Sequence, residues 1–287
     1  MQAERMQDRR MHAYAPPPSG PVSLLTGVWR ERRLIGHLIR REVLGRYRGS
    51  IMGVTWSFLY PVLMLMVYTF VFSVVFQAKW PGMMETGGKT RFALLLFVGV
   101  IAHGLVAEAI TKAPMLVIGN ANYVKKVVFP LETLGWSLVG SAAFHAGVSL
   151  LILLGAKWLL EGWVPLTALW LPVVLLPLAL IALGAAWLFS ALGVFIRDIA
   201  QLTGVFATVL MFLSPVFYPL AALPERYHAW VMLNPLTLAI EQSRAVLFTG
   251  VAPDPLLLLR LYAIGVGCMV LGYWWFQTSR RGFADVL

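Results

Sequence analysis

Long apolar stretches constrain this chain more than any other feature of its sequence. An α-helix needs about 20 apolar residues to cross roughly 30 Å of hydrocarbon, and six stretches of that kind lie between charged or turn-forming residues. They cover residues 52–76, 92–111, 134–156, 168–195, 199–218 and 257–276. With 59% hydrophobic residues and a mean hydropathy of +0.77, the chain lies outside the range of soluble domains. We therefore predict an all-α, polytopic membrane protein with six transmembrane helices.

The stretch at 199–218 is the short one, and it contains Pro215 near its end with Pro219 just beyond it. Because proline interrupts helix hydrogen bonding, a broken helix is the alternative for this span. An even number of spans places both termini on one side of the membrane. The two tails and the second and fourth connections hold 16 of the 23 Lys and Arg residues, so the positive-inside rule predicts that both termini are cytoplasmic.

The connection before the last span is too apolar for a solvated loop. Pro224 and the pair Asn234–Pro235 are typical helix starts. We expect two short re-entrant helices within 219–250 that form a gate on the outer side, since broken backbone at membrane depth needs cover from protein or a water-filled cavity. A loop lying flat on the outer surface is the alternative. The candidate gate residues are Pro215, Tyr218, Pro224, Trp230, Asn234, Pro235 and Glu241.

An amphipathic helix is predicted just before the first span, at residues 28–50. Leu34, Leu38 and Val43 belong to an apolar stripe with three- and four-residue spacing, while arginines occupy the other side. Such a helix lies in the membrane interface, and a plain topology anchor is the simpler interpretation. Residues 1–27, which include a proline-rich stretch, are expected to be a disordered cytoplasmic tail.

Aromatic residues recur every four positions along the first predicted span. This stripe is formed by Tyr60, Met64, Tyr68, Phe72 and Phe76. Sugar rings stack on aromatic faces, so Tyr60, Tyr68 and Phe72 are candidates for a glycan path. Helix packing or lipid contact explains the same spacing.

The sequence contains little that predicts catalysis. The motif GKT at 88–90 imitates the end of a phosphate-binding loop, but the glycine that such a loop requires five positions earlier is absent. The histidines show no metal-ligand spacing, and we expect His145 to be a packed neutral side chain. Glu108 is expected to form an ordinary helical ion pair with Lys112. The net charge of +10 follows membrane topology, so no nucleic-acid partner is expected.

Three stretches, at residues 41–76, 120–132 and 197–244, carry a family resemblance. They begin REVLGRYRGS, NANYVKK and RDIAQLTGVF. Together they resemble the permease subunit of type-2 ABC exporters that move lipid-linked polysaccharides, and they are most like the O-antigen export permeases. The resemblance covers nearly everything but the N-terminal tail, and residues 51–287 would form the permease domain.

The resemblance implies a homodimer in the bacterial inner membrane, in contact with lipids and bound to two copies of a cytoplasmic ATPase. ATP and Mg²⁺ would bind that partner, so no cofactor is expected in this chain. The resemblance also implies a cytoplasmic coupling segment at 112–132. Its candidate ATPase contacts are Asn120, Asn122, Tyr123, Lys125 and Lys126. The two lysines are also explained as topology signals alone.

The implied substrate is a polymer on undecaprenyl pyrophosphate, which presents two phosphates at the inner leaflet. Arg41, Arg46 and Arg48 lie at that depth, where the chain becomes apolar. Guanidinium groups bind phosphate oxygens in a bidentate way that lysine cannot reproduce. We expect these arginines to capture the lipid pyrophosphate, with membrane anchoring as the alternative.

Other functions remain open at this stage. A related permease could export capsule, teichoic acid or another lipid-linked glycan, or a small lipid or drug. A different class is an integral membrane sugar transferase or ligase. Such an enzyme would place carboxylates or histidine and arginine in a long exposed loop, whereas the acidic residues of the outer loops are thinly spread here.

Overall fold

The structure, a computed structural model, describes residues 21–75, 88–125 and 129–287. Every regular element in these ranges is helical, which confirms the predicted all-α class. In chain order the α-helices are α1 (Pro21–Gly45), α2 (Trp56–Tyr68), α3 (Gly88–Lys112), α4 (Ala121–Val124), α5 (Thr133–Glu161), α6 (Leu171–Phe195), α7 (Ile199–Leu213), α8 (Glu225–Val231), α9 (Pro235–Arg244), α10 (Pro255–Ser279) and α11 (Phe283–Val286).

Within the described ranges, five helical stretches are long and apolar enough to cross a membrane, and they coincide with five of the six predicted spans. They are Gly53–Phe72, Thr90–Met115, Thr133–Glu161, Leu166–Phe195 and Pro255–Val286. The stretch predicted at 199–218 is instead α7, whose 15 residues end at Leu213. The chain becomes extended at Ser214, directly before Pro215. The apolar sequence therefore continues beyond the end of the helix. At about 1.5 Å per residue, α7 is about 22 Å long.

α1 begins at Pro21, seven residues before the predicted start, and ends at Gly45. Proline suits the first turn of a helix because no partner is needed for its missing N–H there. The apolar stripe of α1 buries Ile35, Leu38 and Val43. It packs on α5, where Ile39 lies so close to Gly140 that a β-carbon on that glycine would clash. The remainder of the predicted tail, residues 1–20, lies outside the described residues.

α3 is the central helix of the fold. In its apolar window 72% of residues are buried, against 17% for Gly53–Phe72, so the first span is peripheral. α3 packs against α5, α6, α7 and α9. α6 and α10 pack most extensively of all, and they cross where Gly184 faces Gly272 and the Cys268 backbone with no space for a β-carbon. Small residues at such a crossing let two helix backbones touch.

Candidate functional site

A cavity of about 490 Å³ lies between the end of α1, the first span, α3 and α5. One end is polar, and the wall beyond it is aromatic and aliphatic. The lining residues are Arg46, Tyr47, Arg48, Ser50, Trp56, Ser57, Tyr60, Pro61, Met64, Tyr68, Phe97, Val100, Ile101, Gly104, Leu105, Glu108, Ala142, His145, Ala146 and Ser149. From Trp56 to Tyr68 the wall extends about 18 Å along α2. The cavity therefore joins two sets of residues that were predicted separately, arginines for phosphate and aromatics for sugar.

The polar end is built by the turn that connects α1 to the first span. α1 stops at Gly45, and hydrogen-bonded turns continue to Ser50, where the Ser50 N–H donates to the Tyr47 carbonyl at 3.1 Å. Gly49 has a φ of 86°, a left-handed conformation that glycine adopts without a steric penalty. The turn leaves the Arg46 and Arg48 side chains exposed at the opening of the cavity.

Arg46 is already bound to an anion of the protein. Its Nη1 donates to Glu108 Oε1 at 2.8 Å, and Lys112 Nζ donates to the same oxygen at 2.7 Å. The expected helical pair of Glu108 and Lys112 is confirmed, with Arg46 as an added partner from 62 residues earlier. Glu108 is largely shielded, with a side-chain exposure of 16% against 44% for Arg46. The carboxylate thus anchors the cations at the cavity opening.

His145 on α5 completes this cluster, so it is more than a packed neutral side chain. His145 Nδ1 lies 3.1 Å from Arg46 Nη1 and 3.5 Å from Glu108 Oε2, and His145 Nε2 lies 3.2 Å from Tyr47 Oη. Since arginine only donates, a hydrogen bond from Arg46 requires the tautomer in which Nδ1 accepts. Burial raises the pKa of the Tyr47 phenol, so this hydroxyl keeps its proton. No group of three His, Cys, Asp or Glu side chains in the described ranges could hold a metal ion.

The aromatic stripe of the first span divides between the cavity and the protein interior. Tyr60, Met64 and Tyr68 line the cavity. Phe72 lies in the π-helical continuation of α2 and stacks on Phe92 and Phe217, with ring centroids 5.5 and 6.2 Å apart. Phe76 lies outside the described residues. The cavity thus has two of the three predicted glycan-path residues, and the third packs between helices.

The third predicted arginine contacts a different part of the chain. Arg41 donates from Nη1 to Tyr123 Oη at 2.6 Å, which connects α1 to the predicted coupling segment at 112–132. The Tyr123 ring in turn stacks on Phe129, with centroids 4.2 Å apart. Arg41 therefore lies apart from Arg46 and Arg48, which line the cavity.

The coupling segment is irregular, with two short 3₁₀ turns before α4. Asn120 Nδ2 donates to the Leu116 carbonyl at 2.9 Å, so this side chain stabilises the turn itself. Within the described residues of the segment, Asn122 and Lys125 are exposed and free of described side-chain contacts. Lys126, the remaining predicted contact, lies outside the described residues.

The two short helices expected within 219–250 are present as α8, after Pro224, and α9, which begins at Pro235. Asn234 caps α9 by accepting from the Leu236 N–H at 3.0 Å, and its Nδ2 donates to Ser214 Oγ at 2.8 Å. Tyr218 Oη donates to the Phe212 carbonyl at the end of α7, 3.1 Å away. Trp230 is 73% exposed, so α8 presents an aromatic surface outward.

Arg244 is a buried residue that the sequence interpretation missed. It donates to Glu241 Oε1 at 2.8 Å, to the Leu95 carbonyl at 3.1 Å and to the Val216 carbonyl at 3.1 Å. These bonds fasten α9 to α3 and to the chain that follows Pro215. An arginine and a glutamate three residues apart in an apolar segment are the sequence signal that could have identified this anchor.

A family model described as "ABC-2 type transporter" matches residues 33–248. The O-antigen export system permease protein RfbA of Myxococcus xanthus is 26% identical over 266 residues, which cover 92% of this chain and 99% of that protein. The protein of the same name from Klebsiella pneumoniae is 24% identical over 251 residues, 87% of this chain and 93% of the relative. The capsule polysaccharide export inner-membrane protein CtrC of Neisseria meningitidis serogroup B is 24% identical over 238 residues, 76% and 80% of the two chains. Since the family model covers most of its length, the chain belongs to the ABC-2 type transporter family.

Proposed function

We propose that this chain is the membrane permease of an ATP-driven exporter that moves a polysaccharide linked to undecaprenyl pyrophosphate, of the O-antigen type, from the cytoplasm to the periplasm. The observation that carries the proposal is the cavity whose opening has Arg46 and Arg48 and whose wall has Tyr60 and Tyr68. A charged head group followed by sugars requires cations first and aromatic faces next. The names of the relatives, O-antigen export permeases, agree with this substrate class.

The partners follow from the family. ATP hydrolysis belongs to two copies of a separate cytoplasmic ATPase, so this chain is a transporter subunit without catalysis of its own. Asn122 and Lys125, the exposed residues of the coupling segment, are its contacts with that ATPase. The permease is a homodimer in the bacterial inner membrane.

The membrane arrangement has α7 as a short sixth crossing and both termini in the cytoplasm. α1 lies in the cytoplasmic interface, because its exposed arginines then face the lipid head groups. α8 and α9 are re-entrant gate helices at the periplasmic side. The burial of α9 between α3 and α6 supports this placement, since apolar backbone that turns back within the membrane needs protein around it.

Replacing Arg46 and Arg48 together by lysine tests the function. The lysine side chains keep the positive charge and therefore the membrane topology of the chain, but they cannot bind phosphate in a bidentate way. We expect normal membrane insertion and normal ATPase assembly, with most polymer export lost and with no stimulation of ATP hydrolysis by undecaprenyl-pyrophosphate-linked glycan. Export is measured as surface polysaccharide in cells, and hydrolysis is measured with the purified complex.

The matched control is Arg33→Lys with Arg40→Lys, two exposed arginines of α1 outside the cavity lining. This pair makes the same chemical change on the helix that directly precedes Arg46 and Arg48, and the variant should export normally. Full export by the variant with lysine at positions 46 and 48 would show that these two arginines only anchor the chain at the membrane.

Capsule export is the second candidate, because capsule polysaccharide export proteins are also among the relatives. Complementation separates the two functions. The chain should restore surface polysaccharide in a bacterium that lacks its O-antigen permease when the cognate ATPase is supplied, and it should fail in one that lacks its capsule permease. The reverse pattern would assign capsule export.

A further inference from the structure

The opening of the cavity already contains an anion, the carboxylate of Glu108. Arg46 and Lys112 both donate to Glu108 Oε1, at 2.8 and 2.7 Å. Their side chains come from the turn after α1 and from α3, and His145 Nδ1 on α5 lies 3.1 Å from Arg46 Nη1 and 3.5 Å from Glu108 Oε2. Three elements therefore bring donors and an orienting group to a single carboxylate, which is the arrangement of an anion-binding site with an internal occupant.

The charges at this opening do not balance. Arg46, Arg48 and Lys112 are three cations beside one carboxylate, and Arg48 has no described side-chain partner. Two positive charges are left over. A glycan joined to a polyprenyl carrier through pyrophosphate has two negative charges, whereas one joined through a single phosphate has one.

We infer that Glu108 is a competing internal anion that the substrate's pyrophosphate displaces, and that Lys112 becomes a further ligand of the phosphates. This inference rests on the proposed function. His145 is a positioning residue in it, because its Nδ1 continues to hold Arg46 after Glu108 has been displaced. Nothing in the family assignment identifies Glu108, Lys112 or His145 as part of the head-group site.

Displacement of Glu108 makes the site selective for two phosphates over one. A single phosphodiester has the same charge as the carboxylate, so it gains little by replacing it at Arg46 and Lys112. A pyrophosphate brings two negative charges to the three cations Arg46, Lys112 and Arg48, one more than the carboxylate or a phosphodiester, so it gains more by replacing Glu108. Glu108 therefore excludes carriers with one phosphate and is a specificity residue for the transported lipid.

Glu108→Gln tests this role in the full permease–ATPase complex in lipid nanodiscs. The probes are undecaprenyl pyrophosphoryl N-acetylglucosamine and undecaprenyl phosphoryl glucose, and the readout is the lipid concentration that half-maximally stimulates ATP hydrolysis. The wild-type complex should respond to the pyrophosphate lipid far better than to the monophosphate. In Glu108→Gln we expect this preference to fall about tenfold, because the monophosphate lipid stimulates hydrolysis at a lower concentration. A tenfold change corresponds to about one charge-assisted hydrogen bond.

Glu31→Gln is the matched control. Glu31 lies on α1 and pairs with Arg30 at 2.9 Å, away from the cavity lining. The Glu31→Gln variant removes one carboxylate and should leave the preference unchanged. If Glu108→Gln does not assemble, Glu108→Asp replaces it, because the shorter side chain withdraws the charge from Arg46 and should lower the preference in the same direction.

The outcomes separate the two proposals. Absence of stimulation of the wild-type complex by the pyrophosphate lipid overturns the proposed function. Unchanged stimulation in Arg46→Lys with Arg48→Lys overturns the head-group site and leaves the proposed function standing. Loss of stimulation in that variant, together with an unaltered preference in Glu108→Gln, overturns only the role of Glu108. An equal loss of preference in Glu31→Gln would show a general charge effect and also overturns it. Combining Glu108→Gln with Arg46→Gln should reduce the effect of Glu108 without removing it, since Lys112 binds the same carboxylate oxygen.

Discussion

Arg41, Arg46 and Arg48 lie within eight residues of each other and contact three different parts of the molecule. Arg46 binds Glu108 of α3, Arg41 binds Tyr123 of the coupling segment, and Arg48 lines the cavity without a described side-chain partner. The sequence places these residues at the inner-leaflet surface because charge follows membrane topology, and this depth stays a prediction. The sequence could not predict their partners, which lie 62 and 82 residues away for Arg46 and Arg41.

The Arg41–Tyr123 contact connects α1, which directly precedes the proposed head-group arginines, to the predicted coupling segment. Tyr123→Phe removes the hydroxyl that Arg41 binds and keeps the ring stacked on Phe129. We expect normal protein level and ATPase assembly, with several-fold less polymer exported per ATP hydrolysed, measured in proteoliposomes.

Tyr262→Phe is the control for the Tyr123 variant, because Tyr262 also loses one hydroxyl bond, to the Val173 carbonyl at 2.9 Å, far from the coupling segment. An equal loss of coupling in both variants would show that Tyr123 contributes only to stability.

At the scale of helices, apolar length predicted the five long spans, and the Asn–Pro pair predicted the start of α9. α7 ends at Leu213, directly before the Ser214–Pro215 pair for which the sequence left a broken helix as the alternative. The packing of the α1 stripe on α5 needed the structure, because it depends on the tertiary contact of Ile39 with Gly140, which periodicity does not contain.

The α6–α10 crossing leads to a stability prediction. A methyl group at Gly272 would meet the backbone of Gly184, which cannot rotate away as a side chain can. Gly272→Ala should therefore cost roughly 1–3 kcal/mol, as overpacked sites do, and lower the melting temperature of the purified permease.

Gly267→Ala is the control on the same helix. Nothing lies within 4 Å of a β-carbon at Gly267, so this variant should melt at or slightly above the wild-type temperature. Equal melting of the two variants would contradict the close crossing.

At the scale of the molecule, α7 determines the topology. If α7 crosses the membrane, Arg226 on α8 is periplasmic and Arg281 is cytoplasmic. If it does not cross, both positions exchange sides. In a chain with Cys268→Ala, single cysteines at these two exposed positions should therefore react with an impermeant thiol reagent only at Arg226. A cysteine at Lys125 is cytoplasmic in both arrangements and serves as the unlabelled control.

The length of α7 also bears on the lipid around the transporter. A helix of about 22 Å is shorter than roughly 30 Å of hydrocarbon, and a bilayer adapts to a short helix by thinning beside it. The apolar side chains that α7 exposes, among them Leu202, Phe206 and Phe212, would be in direct contact with that thinned region. If α7 crosses the membrane, bilayer thickness therefore becomes a property that the transporter itself adjusts beside this helix.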